Sequence, residues 1–253
     1  MNTGCPSFKT ALPRVLWLYL PIAICIYPYV LHVPHLNWEE GLYREFGLIE
    51  NSTVVMLAAA VCYGLRLSWR VNSVYQKTWF IILTIGTFYF LGEELSWGQH
   101  LFNWHPSEEW NVINAQDETN LHNLRGIYHV LLDRLPRELL SIASIIGGFV
   151  VPMYFIKRGS TFDSRSFNHW IWPSYVCGVT GLLANSIALP GKIAHGLHKQ
   201  LPPFFRIDTG EPKEALLALF ILLYMIASSK YFSQTTAVQS SDANDTDSVD
   251  VPS

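Results

Sequence analysis

Long apolar runs separated by short charged stretches constrain this chain more than any other feature. A bilayer's hydrocarbon core takes roughly 20 apolar residues of helix to cross. Six runs reach about that length, and they cover residues 14–33, 48–68, 79–97, 138–156, 170–190 and 214–232. Only 15% of the 253 residues are charged, whereas a soluble domain carries about 25%. The sequence therefore predicts an all-α fold, a polytopic membrane bundle of about six transmembrane helices.

The composition changes after residue 232. Residues 233–253 contain four Asp, no Lys or Arg, and few large apolar side chains. Such a segment cannot bury enough surface to fold. We expect residues 1–232 to form a single transmembrane helical domain and residues 233–253 to form a disordered acidic tail.

The basic residues indicate the orientation of the chain. Lys and Arg are concentrated in the short connections after the second and fourth runs, at residues 66–77 and 157–165. The positive-inside rule places such loops in the cytoplasm. We therefore expect both termini to be cytoplasmic and the Glu- and His-bearing connections to lie outside. No basic stripe typical of nucleic-acid binding is present, so we expect membrane lipids, and no nucleic acid, as partners.

Two adjacent carboxylates, Glu93 and Glu94, end the third apolar run in the stretch GEELSWGQH. Counted from the start of that run, Glu93 would lie about 21 Å along a helix, still inside a core of about 30 Å. A charged carboxylate at mid-membrane costs about 2.5 to 3.5 kcal/mol, so it normally faces the bundle interior and has a partner. We interpret the pair as part of a site that opens at the outer surface. The alternatives are a solvated cap on a helix that ends at Leu91, and a structural salt bridge to Arg125 or Arg137.

Within residues 114–138, a cap at Asp117 or Thr119 predicts an amphipathic helix that lies on the outer face of the bundle or dips into it. Glu118, His122, Arg125 and His129 recur three or four residues apart and would share one side of it. A carboxylate and an imidazole one turn apart, as Glu118 and His122 would be, can ligate one metal ion. A solvated or hydrogen-bonded polar stripe has the same spacing and is the alternative.

Further Glu and His residues are expected on the same side of the membrane. Glu50 opens the second apolar run, and His195 and His198 follow the fifth. For Glu50 the alternative is an ordinary loop charge. For the two histidines the alternative is an interfacial pair beside Lys192 and Lys199.

The segments EELSWGQ and NAQDETNLHN resemble a pair of motifs in a group of uncharacterised bacterial multi-pass membrane proteins. In that group a Glu-Glu-x-x-Trp-Gly-Gln run precedes an Asn-x-Gln-x-Glu-x-Asn-Leu-His-Asn run. The resemblance covers about thirty-five residues. It implies an integral protein of the bacterial cytoplasmic (inner) membrane and brings no activity with it. Matched position by position, it singles out Glu93, Glu94, Trp97, Gly98, Gln99, Asn114, Gln116, Glu118, Asn120, His122 and Asn123. A fainter analogy is to membrane hydrolases related to alkaline ceramidases, whose His-x-x-x-His pair is absent here.

Three functions are compatible with these residues. The first is a metal-dependent membrane enzyme acting on a lipid or another amphipathic substrate, with Glu93 and Glu94 as catalytic groups. Glu93, Glu94, Glu118 and His122 would then hold a divalent metal ion such as zinc or iron, which activates water or oxygen as a Lewis acid. The second is a proton- or cation-coupled transporter, in which intramembrane Glu residues carry the charge. The third is a non-catalytic subunit whose polar face binds a partner protein.

Overall fold

The computed structural model describes residues 12–31, 47–102, 104–114, 118–121, 123–159, 166–202, 205, 207 and 209–247. Within these ranges the regular elements are helices, and an isolated antiparallel bridge pairs Asn114 with Leu124. The all-α class is therefore confirmed for the described part of the chain.

The helices follow one another in the order in which we number them. They are α1 (Val15–Val30), α2 (Leu48–Arg70), α3 (Val74–Glu94), α4 (Gln99–Phe102), α5 (Glu108–Ile113), α6 (Ile127–Lys157), α7 (Phe167–Trp170), α8 (Tyr175–Gly196) and α9 (Gly210–Asp247). A turn at residues 187 and 188 interrupts α8 just before Pro190.

Four of these helices are long and apolar enough to cross a membrane. They are α2, α6, α8 and the part of α9 from Gly210 to Ser233. Helix α1 is apolar but shorter. Several long apolar helices are typical of a membrane protein. The count of six spans, the choice of the inner membrane and the sides on which the termini lie stay predictions.

Helix α9 lies at the centre of the bundle. It packs against α2 and α8, while α3 packs against α2, α6 packs against α8, and α1 contacts both α8 and α9. Between Pro212 and Ser229 most of its side chains are buried, and Leu216, Leu219, Leu223 and Met225 are at most 1% exposed. A helix that is apolar all round lies in a protein core or across a membrane. The contacts of α9 with α1, α2, α6 and α8 bury much of its apolar surface against protein.

Small residues allow α6 and α8 to approach closely. A Cβ added to Gly181 in α8 would lie 2.5 Å from the backbone oxygen of Ser144 in α6. The side-chain amide of Asn185 donates to the backbone oxygen of Ser141 at 3.1 Å and to Oγ of Ser144 at 3.0 Å. Small residues and interhelical hydrogen bonds of this kind are characteristic of helix packing in membranes.

One end of the bundle positions the candidate site, and we call it the polar end. Helices α2, α6 and α9 begin there, and α3 and α8 end there. Ion pairs link these helix ends: Arg137 in α6 pairs with Glu214 in α9, and Lys192 in α8 pairs with Glu138 in α6.

The third helix is shorter than the apolar run predicts. Helix α3 ends at Glu94, and the next residues turn, with positive φ angles of 45° at Ser96, 52° at Trp97 and 89° at Gly98. A left-handed backbone costs about 1 to 2 kcal/mol for each residue with a Cβ. Contacts with the rest of the protein must hold this turn, and the expected helical end at residue 97 is wrong.

The amphipathic helix expected within residues 114–138 begins later than predicted. Residues 118–121 are not helical, and α6 begins only at Ile127, after Gly126 with a φ of 70°. The polar groups of 118–121 bind the end of α3 instead of continuing a helix. Glu118 therefore does not lie on a helix, and His122, its expected partner, lies outside the described residues.

Helix α9 extends to Asp247, beyond the part that can cross a membrane. An isolated helical segment of polar composition is marginally stable in water. The disordered acidic tail and the single domain over residues 1–232 stay predictions.

Candidate functional site

Glu93 is buried at the end of α3, with 5% of its surface exposed. Its Oε1 accepts a hydrogen bond from the indole nitrogen of Trp97 at 2.6 Å, and its Oε2 accepts one from the backbone nitrogen of Leu121 at 2.7 Å. Hydrogen bonds to charged groups contribute about 1.5 to 3 kcal/mol each. The two oxygens therefore tie the turn after α3 to the segment 118–121.

Thr119 also forms hydrogen bonds with the turn after α3. Its backbone nitrogen donates to Oε1 of Gln99 at 2.8 Å, and its hydroxyl donates to the backbone oxygen of Ser96 and, at 3.2 Å, to Gln99 Oε1. These bonds explain how the left-handed conformation at Ser96 is maintained.

One carboxylate oxygen of Glu118 accepts hydrogen bonds from several donors. Its Oε2 accepts from Oγ of Ser96 at 3.1 Å, from the side-chain amide of Asn123 at 3.2 Å, and from that of Asn120. Its backbone oxygen accepts from the indole of Trp110 at 2.6 Å. A metal ion could bind Oε2 only by displacing these donors.

Two buried asparagines complete this arrangement. Asn114 and Asn120 are 0% and 1% exposed, and the amide of Asn114 donates to the backbone oxygen of Asn120 at 2.9 Å. The backbone nitrogen of Arg125 donates to the backbone oxygen of Ile113 at 2.8 Å, next to the Asn114–Leu124 bridge. We call the set of side chains that joins the two segments the junction. Its members are Glu93, Ser96, Trp97, Gln99, Asn114, Glu118, Thr119, Asn120 and Asn123.

Glu94 has entirely different surroundings. Three carboxylates act on it electrostatically, those of Glu214 and Glu211 in α9 and of Glu50 in α2. Among the described residues, the positive charge that acts on it is that of Arg137 in α6. Glu94 is thus placed among like charges, whereas Glu93 is placed among neutral donors.

Arg137 is already shared by two other carboxylates. It lies 2.6 Å from Oε1 of Glu214 and 2.5 Å from Oδ1 of Asp133, and both acids are largely buried. The same guanidinium also acts electrostatically on Glu94. We call the group formed by Glu50, Glu94, Asp133, Glu211 and Glu214 the acidic cluster.

Glu211 and Glu214 were missed by the reasoning from sequence. Both lie at the beginning of α9, immediately before or at the start of its apolar run. The same signal, an acid at the start of an apolar run, had identified Glu50. Applied to every run, it would have found the two residues of α9 as well.

The remaining predicted residues lie apart from these two groups or outside the described ranges. Arg125 is exposed, with its Nη1 3.4 Å from the backbone oxygen of Val112. His195 lines a separate groove at the polar end, and His198 is exposed with a φ of 51°. Gln116 and His122 lie outside the described residues.

In the described part of the chain, no group of three or more His, Cys, Asp or Glu side chains is placed to hold a metal ion. Glu93 bonds to the junction, Glu94 faces the acidic cluster, and Oε2 of Glu118 accepts three side-chain donors. These three acids do not form a metal site by themselves. The expected set of four also needs His122, so metal binding stays a prediction.

Comparison with known proteins gives no match: no family model, curated protein or solved structure is similar to this chain. The chemistry of the site is therefore argued from its geometry and charges.

Proposed function

We propose that this chain is a proton- or cation-coupled membrane transporter that takes up its proton or cation at Glu94. The observation that carries the proposal is the position of this side chain among the carboxylates of other helices. Three carboxylates and one guanidinium act on Glu94 among the described residues. That guanidinium, on Arg137, already pairs with Glu214 and Asp133.

Like charges in a poorly hydrated place repel one another, and a bound proton or cation removes that repulsion. Ionisable side chains within helical membrane bundles are typical of proton and ion pathways. The acidic cluster draws its members from α2, α3, α6 and α9. A change of charge at Glu94 would therefore alter the forces between four helices, which is a direct way to couple proton binding to helix movement.

A proton fits this arrangement better than the divalent metal expected from the sequence. A bound zinc ion requires three or four ligand atoms at about 2.0 to 2.3 Å from one point, and the described part of the chain has no such group of side chains. A proton requires a single carboxylate whose charge is unfavourable, and Glu94 meets that condition.

Infrared difference spectra between acid and neutral pH, recorded on the protein in liposomes, test the proposal. We expect the carbonyl band of protonated carboxyl groups to contain a component in the wild type that is absent from Glu94→Gln, while the components of the other acids remain. The matched control is Glu109→Gln, which removes an exposed carboxylate at the start of α5 and should leave that component in place. A wild-type spectrum that does not differ from that of Glu94→Gln would refute proton uptake at this residue.

Transport itself is measured in proteoliposomes that contain a trapped pH-sensitive dye. A proton, sodium or potassium gradient should produce a flux that Glu94→Gln abolishes and Glu109→Gln retains. Elemental analysis of the purified protein separates this proposal from the metalloenzyme. Near-stoichiometric zinc or iron, lost in Glu118→Gln and His122→Ala variants that still fold, would favour the enzyme and overturn the transport proposal.

A further inference from the structure

An open groove lies at the polar end between α6 and α8. Its volume is about 620 Å³, and its lining consists of Arg134, Glu138, Gly191, Lys192 and His195. None of these residues belongs to the junction or to the acidic cluster. The groove therefore requires an explanation of its own.

The groove is basic in spite of Glu138. Oε1 of Glu138 lies 3.5 Å from Nζ of Lys192 and 3.6 Å from Nζ of Lys213, so two ammonium groups share one carboxylate. Arg134 forms no ion pair with any residue that the structure describes, and its side chain is exposed. A positive charge is thus available to a ligand at this rim.

Apolar side chains continue from the groove toward the middle of the bundle. Ile142 lies one turn beyond Glu138 on α6 and is 53% exposed, and Leu189 lies three residues before Lys192 on α8 and is 46% exposed. Residues three or four apart on a helix are neighbours on its surface. The groove therefore combines a basic rim with an adjoining apolar wall.

We propose that this groove binds the phosphate headgroup of an anionic lipid, whose acyl chains lie along Ile142 and Leu189. The planar guanidinium of Arg134 can donate two parallel hydrogen bonds to a phosphate, and Lys192 adds a point charge beside it. Basic pockets between membrane helices bind anionic headgroups by this chemistry. A free phosphate ion would share the polar contacts but would make no use of the apolar wall.

Native mass spectrometry of the full chain in detergent tests the proposal after delipidation and titration with phosphatidylglycerol or phosphatidylcholine. We expect the wild type to bind phosphatidylglycerol about tenfold more tightly than phosphatidylcholine. The double variant Arg134→Gln, Lys192→Gln should lose that preference. The control is Arg125→Gln, Lys199→Gln, which removes the same charge from exposed positions outside the groove and should keep it.

Equal binding of the two lipids by the wild type, or a preference that survives in the double variant, would overturn the proposal. If the double variant does not fold, the single variant Arg134→Gln replaces it, because this side chain has no described ion pair to lose. Inorganic phosphate is the second probe. If phosphate displaces phosphatidylglycerol at a concentration similar to that of the lipid, the groove binds a free anion and the assignment to a lipid is wrong.

Discussion

Glu93 and Glu94 are neighbours in the chain and have opposite surroundings. Glu93 is buried and accepts hydrogen bonds from two neutral donors, the indole of Trp97 and the backbone of Leu121. Glu94 faces three further carboxylates and one guanidinium that is already paired. The same type of side chain therefore joins two segments of the structure at one position and lies among like charges at the next.

The helix itself separates the two residues. Consecutive residues of an α-helix point about 100° apart around its axis, so at the end of α3 one carboxylate faces the segment 118–121 and the other faces α9. The two adjacent acids of this motif therefore belong to two different sites. The substitutions below test whether Glu93 is structural and whether Glu94 can change its charge.

The largest effect is expected from Glu93→Ala. The change leaves the indole of Trp97 and the backbone nitrogen of Leu121 without their acceptor, and we expect a loss of about 3 kcal/mol in the free energy of unfolding. Denaturant titration of the detergent-solubilised protein measures it. Glu109→Ala, at an exposed position, is the control and should change little. A loss no larger than that of the control would remove Glu93 from the junction.

Gly98→Ala should be the next most damaging change. Gly98 has a φ of 89°, and an added Cβ would lie 3.0 Å from the ring of Phe102. We expect a loss of about 2 kcal/mol in unfolding free energy from the left-handed backbone and the close contact. Gly86→Ala is the matched control, because its Cβ would meet no atom within 4 Å on a helix. There we expect a gain of about 0.5 kcal/mol, and equal effects at both positions would contradict the described turn.

Thr119→Val keeps the shape of the side chain and removes its hydroxyl. The hydrogen bonds from that hydroxyl to Ser96 and Gln99 are lost, while the backbone nitrogen still donates to Gln99. We expect a loss of about 1 kcal/mol in the same titration. Thr78→Val, exposed at the start of α3, should stay within about 0.5 kcal/mol of the wild type. A larger loss at Thr78 than at Thr119 would be inconsistent with the junction.

The smallest effect on stability is expected from Glu94→Gln. Removing one of several carboxylates that repel one another should leave the unfolding free energy unchanged or raise it by about 0.5 kcal/mol. The same variant should abolish transport, so its stability and its activity should change independently. A loss of stability as large as that of Glu93→Ala would show that both acids are structural.

Two of the apolar runs predicted the positions of long apolar helices well. The run at 48–68 corresponds to Leu48–Arg70, and the run at 170–190 corresponds to Tyr175–Gly196. The fourth run was placed at 138–156, but α6 begins at Ile127. The added turns carry Asp133 and Arg137, and Arg137 forms ion pairs with Asp133 and Glu214. These pairs stabilise a charged helical segment, which a search for apolar residues does not detect.

The motifs located the candidate site only in part. Glu93, Trp97, Gln99, Glu118 and Asn120 do meet, because both segments carry polar groups that must find partners when water is excluded. Their helical periodicity was misleading, since Gly98 and Gly126 permit turns where a continuous helix was expected. Glu211 and Glu214 belong to α9, more than a hundred residues away in the chain, and nothing local connects them with Glu94.

The amino-acid sequence by itself determined the helical class, the approximate positions of the apolar helices and the two segments rich in Glu, Asn and Gln. These properties depend on composition and short-range periodicity, which are present in the chain before it folds. The tertiary structure alone decided which carboxylates are neighbours and which have donors. That outcome depends on the packing of α2, α3, α6 and α9 at the polar end, and on the direction in which each side chain leaves its helix. For Glu93 and Glu94, a rotation of about 100° around the axis of α3 separates a hydrogen-bonded anchor from a charge in an acidic cluster.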